Sequence, residues 1–171
     1  MDGSLDGPVA IVGYMGSGKT TVGRALAHAL GREFVDLDRA VVKRAGRTIP
    51  QIFAESGEEH FRDLEHTILL DALDGCPPSI LACGGGVVLR PDNRELLRET
   101  ATVFLREDTR VLYDRTRGAD RPLRSASLGE FERRYIERLP LYREVADIEV
   151  QVGGRPPAEV AEEVIRCLSR P

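Results

Sequence analysis

Apolar and polar positions follow two rhythms along this chain. Short runs rich in apolar and β-branched residues, bounded by turn signals, read as buried strands. They are Pro8-Val-Ala-Ile-Val12, Glu33-Phe-Val-Asp-Leu-Asp38, Ser79-Ile-Leu-Ala-Cys83, Thr102-Val-Phe-Leu105 and Ile148–Val152. Between them lie longer stretches with helical spacing. Thr20–Leu30 places Val22, Ala25, Leu26, Ala29 and Leu30 on one stripe, with Gly31 as a stop. Further helices are predicted from the end of the second strand to Ala45 with Gly46 as cap, over Ile49–Ser56 and Glu58–Leu73 on either side of Gly57, and over Pro91–Thr100. Three more cover Asp108–Arg115, Leu128–Val145 and Pro157–Leu168, the second of them carrying Pro140, which should kink or break it. Arg117–Ser127 is polar, with no hydrophobic period. Alternation of this kind predicts an α/β fold, a parallel sheet with helices on both faces in three layers. Ligands of such sheets bind beyond the carboxyl ends of the strands.

At 171 residues the chain suits a single domain, 1–171, with a sizeable core. It holds no apolar run of the roughly 18 residues a membrane span needs. The opening Met1-Asp-Gly-Ser-Leu-Asp-Gly-Pro8 lacks the basic-then-apolar layout of a signal peptide. A formal net charge of −4 argues against a dedicated nucleic-acid binder. Cys76, Cys83 and Cys167 are too few and too scattered for a disulfide frame or a zinc site, so a reduced, cytoplasmic protein is expected. The basic residues are uneven: 22 arginines stand against two lysines, Lys19 and Lys43. Arg106–Arg143 alone holds ten Arg, no Lys and seven acids. Genome bias accounts for most of them; a few could be forked anion binders, a task Lys does less well.

Gly13-Tyr-Met-Gly16-Ser17-Gly18-Lys19-Thr20 matches G-x-x-x-x-G-K-[ST] in full, after a strand and at the start of a helix. Glycines let backbone N–H groups wrap a phosphate, and the helix N-terminus adds a positive dipole. In this reading Gly16, Ser17, Gly18, Lys19, Thr20 and Thr21 bind a nucleoside triphosphate. Lys19 reaches the β- and γ-phosphates and the Thr20 hydroxyl ligates Mg²⁺. The guanine-reading N-K-x-D of switch GTPases is missing, and the chain has no room for a motor or transporter module, which leaves a small-molecule kinase. Asp36 and Asp38, two apart at the end of the second strand, should point to one side of the sheet. They could hold water on Mg²⁺ or accept from a substrate hydroxyl, or Asp38 could simply cap the next helix. Gly84, Gly85 and Gly86 follow the third strand and would let a substrate pack on bare backbone. Arg62 could clamp a carboxylate, or pair with Glu65 or Glu59 on its own helix.

Several phrases taken together resemble the shikimate kinases, from Val9 to about Arg166. They are the phosphate loop, Phe34-Val-Asp-Leu-Asp38, Thr48 to Glu65 (T-I-P-Q-I-F-A-E-S-G-E-E-H-F-R-D-L-E), the three glycines, Arg121-Pro-Leu and Arg138-Leu-Pro-Leu-Tyr142. The resemblance implies a five-stranded P-loop fold of the nucleoside-monophosphate-kinase type. It also implies transfer of the ATP γ-phosphoryl group to the 3-hydroxyl of shikimate, a step toward chorismate and the aromatic amino acids. It further implies one Mg²⁺ per ATP and a monomer in the cytoplasm. Residue by residue, Asp38 would hold the acceptor hydroxyls and position or activate the attacking oxygen. Arg62 and Arg138 would bind the carboxylate, with Gly85 adding a backbone contact. Asp36 would face Mg²⁺ through water beside Thr20, and Arg121 would close over the transferring phosphate from a mobile lid at about 117–127. Arg115 and Arg155 would flank the adenine, and residues about 38–66 would form the shikimate-binding helical region.

The histidines (His28, His60, His66), Cys83, Tyr14 and Met15 read as packing or surface residues, and Phe53 as a wall of the substrate pocket. A gluconate kinase, sharing fold and P-loop, is the alternative enzyme. A nucleotide-binding scaffold without catalysis is the alternative from another class.

Overall fold

The computed structural model describes residues 5–116 and 127–169. β1 (Val9–Val12) is buried throughout, and a strand with no polar side belongs in the middle of a sheet. It lies between β3 (Ile80–Ala82) and β4 (Ala101–Arg106), with β2 (Phe34–Asp36) outside β3 and β5 (Ile148–Gln151) outside β4. Every pairing is parallel, in the order β2-β3-β1-β4-β5. This is the fold expected from the sequence.

Successive strand residues point to opposite faces, so the sheet feeds two cores. Val9 and Ile11 of β1, with Val103 and Leu105 of β4, pack against Val22 and Leu26 of α1 (Lys19–Leu30) and Val160 and Val164 of α7 (Pro157–Leu168). Ala10, Val12, Leu81 and Phe104 face the other way. There they meet Leu37 of α2 (Leu37–Ala45), Ile52 and Leu69 of α3 (Ile49–Leu73) and Leu97 of α4 (Pro91–Arg98). Leu112 of α5 (Thr109–Arg115) and Phe131 and Tyr142 of α6 (Leu128–Val145) complete this second layer.

Four local features differ from the sequence expectation or refine it. The second strand stops at Asp36, and the chain turns into α2 at Leu37. The two helical stretches around Gly57 run together as α3, jointed at Gly57 where φ is 83° and ψ 172°. α6 passes through Pro140 unbroken. A helical proline removes one bond to the carbonyl four residues back, here Ile136, which is 63% exposed and can turn that carbonyl to water. The fourth feature is a 3-10 turn, Val87–Leu89, after the three glycines. No helix among the described residues is long and apolar enough to cross a membrane.

α3 begins with a capping box. The Thr48 hydroxyl accepts from the Gln51 amide at 3.4 Å, and the Gln51 side chain accepts from the Thr48 amide at 2.8 Å. Thr48→Ala should therefore lower the unfolding free energy by about 1 kcal/mol in urea denaturation, with an unchanged m-value.

Candidate active site

β1 delivers the chain into a loop that must reverse tightly before α1. Gly16 takes φ +83°, and a Cβ there would lie 2.9 Å from the Leu112 carbonyl oxygen, so the loop is closed to a larger residue. Gly18 occupies the N-cap of α1 and has no side chain to satisfy the first-turn amides, which are left to face an anion. Lys19 Nζ donates to the carbonyls of Gly13 and Tyr14, both at 2.9 Å, which holds the ammonium against the loop.

Asp36 and Asp38 occupy different structural positions from those expected. They do not point side by side from one strand. Asp36 ends β2 and is the N-cap of α2, its Oδ1 accepting from the Arg39 amide at 3.3 Å, while Asp38 lies in the first turn of the helix. The cap is thus Asp36 rather than Asp38, because the strand gives way to helix two residues early. The other oxygen of Asp36 accepts from the Thr20 hydroxyl at 2.9 Å. This places a hydroxyl and a carboxylate, two hard oxygen donors, together at the mouth of the phosphate loop. They fit a Mg²⁺ whose remaining ligands come from phosphate oxygens and water. Among the described residues there is no cluster of three or more His, Cys, Asp or Glu that could bind a metal.

Beside this pair the three glycines form a floor under several side chains. A Cβ on Gly84 would lie 2.6 Å from Glu65 Oε1 and 2.9 Å from Asp38 Oδ1, and one on Gly86 would collide with the Arg62 guanidinium. Arg138 donates to the Gly85 carbonyl at 3.3 Å, and the Tyr142 hydroxyl donates to the same oxygen. Arg62 and Arg138, the two arginines that the resemblance groups together, thus flank one turn. Arg62 also makes the ion pairs of the plainer reading: Nη1 to Glu65 at 2.8 Å and Nη2 to Glu58 at 3.1 Å, with Glu58 in place of Glu59. Phe53 and Phe61 pack together at 5.0 Å on the same helix.

Burial dominates the electrostatics here. Glu65 is 1% exposed, and Oε1 has no hydrogen-bond partner among the described residues. Burial pushes its carboxyl above the ordinary range; Arg62 draws it back, and the nearby Asp38 pushes it further up. Burial would lower the Arg62 guanidinium, yet Glu65 and Glu58 hold it raised. Cys83 is pushed up to about 12 by burial and stays a neutral core thiol. His66 lies on α3 with Nδ1 2.6 Å from the buried Asn93, a structural contact.

The phosphate loop opens into a cleft of about 400 Å³ whose lining joins Gly16, Gly18, Lys19, Thr20 and Thr21 to Asp36, Asp38 and Gly85. Ser17, the remaining loop residue, is buried. Arg115 and Arg155 line the same cleft with Val152 and Pro157. Arg115 donates to the Gly16 carbonyl at 3.2 Å and pairs with Glu107 at 3.3 Å; Arg155 pairs with Glu163 at 2.6 Å. Arg121 and the expected lid, apart from Ser127, lie outside the described residues. Two further site residues carried little sequence signal. Glu65 was legible only as a helical neighbour of Arg62, and Glu107 not at all, since one Glu after a strand resembles any other.

A family model described as shikimate kinase matches residues 15–169. Shikimate kinase from Bordetella avium is 46% identical over 88% of this chain and 74% of its own length. That of Symbiobacterium thermophilum is 43% identical over 94% and 95%. Among solved structures, shikimate kinase from Acinetobacter baumannii in complex with shikimate superposes with a TM-score of 0.89 at 36% identity, covering 95% of this chain and 92% of that one. A gluconokinase from Sinorhizobium meliloti, with a TM-score of 0.62 at 22% identity over 97% of this chain and 93% of its own, shares the fold alone.

The raised Glu65 carboxyl makes stability depend on pH. A carboxyl raised by folding contributes stability below its ordinary pKa and loses it as pH climbs through the raised value. Measured against Glu65→Gln, which cannot titrate, the wild-type unfolding midpoint should fall as pH rises upward from the ordinary carboxyl range of about 4. A difference that stays flat, or grows, over that rise contradicts the assignment.

Proposed function

The chain belongs to the shikimate kinase family, and we infer from this membership and from the cleft that it transfers the γ-phosphoryl group of ATP to the 3-hydroxyl of shikimate, giving shikimate 3-phosphate and ADP. One observation carries the reading at the residue level. The cleft that begins at Lys19 and Thr20 is also lined by Asp38 and Gly85, so a phosphate donor and a hydroxyl acceptor share one enclosure.

In this reading the loop amides and Lys19 take the β- and γ-phosphates, and Thr20 directly, with Asp36 through water, would hold Mg²⁺. The metal would supply neutralisation of charge between the transferring and leaving phosphates. Arg62 and Arg138 bind the planar carboxylate of shikimate from two sides of the Gly84–Gly86 turn, a task that suits forked guanidinium groups. Asp38 accepts from the acceptor hydroxyl and aims its oxygen at the γ-phosphorus. The new P–O bond forms as the bond to the β-phosphate oxygen breaks, and ADP leaves. Glu65 holds the Arg62 guanidinium beside the turn through their ion pair. Arg115 and Arg155 border the base of the nucleotide, and Arg121 approaches the transferring phosphate from the 117–127 segment. We read the whole chain as one kinase domain with its acceptor region at about 38–66, working as a monomer in the cytoplasm.

A coupled ADP-release assay tests this reading. Turnover is expected with ATP, Mg²⁺ and shikimate together, and release with gluconate but none with shikimate would overturn it. Arg138→Ala should raise the KM for shikimate about 10- to 100-fold while the KM for ATP moves less than about 3-fold, the loss of one charge-assisted contact. Asp38→Asn should lower kcat by about 10²-fold or more, as loss of a positioned proton acceptor does. Equal effects of Arg138→Ala on both substrates would remove Arg138 from the acceptor site.

A further inference from the structure

Tyr14, the second residue of the phosphate loop, is 1% exposed and faces two ways. Its carbonyl accepts from Lys19 on the nucleotide side. Its ring lies on the acceptor side, with the Arg138 guanidinium carbon 5.3 Å from the ring centroid, inside the range of a cation–π contact. Two further residues of α6 hold the ring in place: Phe131 edge-on at 4.9 Å and Tyr135 tilted at 5.3 Å. Phe131, Tyr135 and Arg138 fall on one face of that helix, at i, i+4 and i+7, so α6 cradles the ring and lays its own arginine over it.

The hydroxyl does not hold this arrangement. It is buried with no hydrogen-bond partner among the described residues, and burial raises the phenol pKa even though Arg138 draws it the other way. What remains is the ring face, an electron-rich surface that fixes one side of a guanidinium whose Nη1 is fixed by the Gly85 carbonyl. An arginine that must present its fork to a planar carboxylate loses side-chain freedom on binding, and prior immobilisation reduces that cost.

We propose that Tyr14 is a positioning residue for the acceptor: its ring, held by Phe131 and Tyr135, orients Arg138 for the substrate carboxylate. This rests on the reading of Arg138 given above. The proposal makes the phosphate loop part of the acceptor site through one side chain, whereas the loop backbone serves the nucleotide.

The test is a double-mutant cycle over Tyr14 and Arg138, read as KM for shikimate and for ATP. Tyr14→Phe keeps the ring and should leave the shikimate KM within about 2-fold of wild type. Tyr14→Leu, or Tyr14→Met should the leucine variant fail to fold, should raise it about 3- to 30-fold, the range of a desolvated cation–π contact, with the ATP KM within about 2-fold. Adding Tyr14→Leu to Arg138→Ala should raise it no further, because the ring acts through the arginine. A merely structural ring would lower the melting temperature and disturb both substrates together. Overturning results are a Tyr14→Leu effect shared equally by ATP, effects of the two substitutions that multiply, or no effect of Tyr14→Leu while Arg138→Ala still weakens shikimate. If Arg138→Ala itself spares shikimate, the acceptor reading fails first, and Tyr14 loses its role with it.

Discussion

The backbone of Gly84–Gly86 is the meeting point on which the rest of the site depends. Three helices converge on three residues without side chains. α2 brings Asp38 and α3 brings Glu65 against Gly84; α3 also brings Arg62 against Gly86, and α6 sends Arg138 and Tyr142 to the Gly85 carbonyl. The same turn approaches the phosphate loop, where a Cβ on Gly85 would lie 3.4 Å from the Met15 amide nitrogen. Any side chain larger than hydrogen at Gly84 or Gly86 would push the charged groups apart. The bare backbone lets a donor site at the end of β1 and an acceptor site beyond β3 share one cleft.

Charge follows the same convergence. Many arginines among the described residues lie on the surface in ion pairs such as Arg44–Asp71, Arg110–Asp114 and Arg143–Glu149, which are exposed and contribute between nothing and about 1 kcal/mol each. Arg62 and Arg115 differ because each has a buried partner, Glu65 and Glu107. An ionised Glu65 removed from water is costly unless matched, and Arg62 matches only one of its oxygens. The pair is better understood as a device for holding a guanidinium at the turn than as a source of stability. A chain with net charge −4 can therefore still bring Arg62 and Arg138 together at one turn.

Much of this was legible beforehand, for a physical reason. Strand and helix alternation, the Gly57 joint and the phosphate loop are local: they depend on side-chain period and backbone freedom over a few residues. The Asp36–Asp38 pair was misplaced because both strand and helix begin with acceptable residues there. What ended the strand was Asp36 capping α2 while its other oxygen engaged Thr20, sixteen residues away. Pro140 does not end α6, although it removes one bond of the helix ladder.

The sequence by itself determined a parallel α/β sheet, a nucleotide loop after the first strand, and a set of acids and arginines suited to an anionic acceptor. Those features are written in short periods and in single motifs. Only the tertiary structure decided which of the arginines converge, that Glu65 is buried behind Arg62, and that the ring of Tyr14 lies under Arg138. These groups come from distant parts of the chain, and no periodicity relates them. They are brought together by crossovers that return each strand's carboxyl end to the same edge of the sheet.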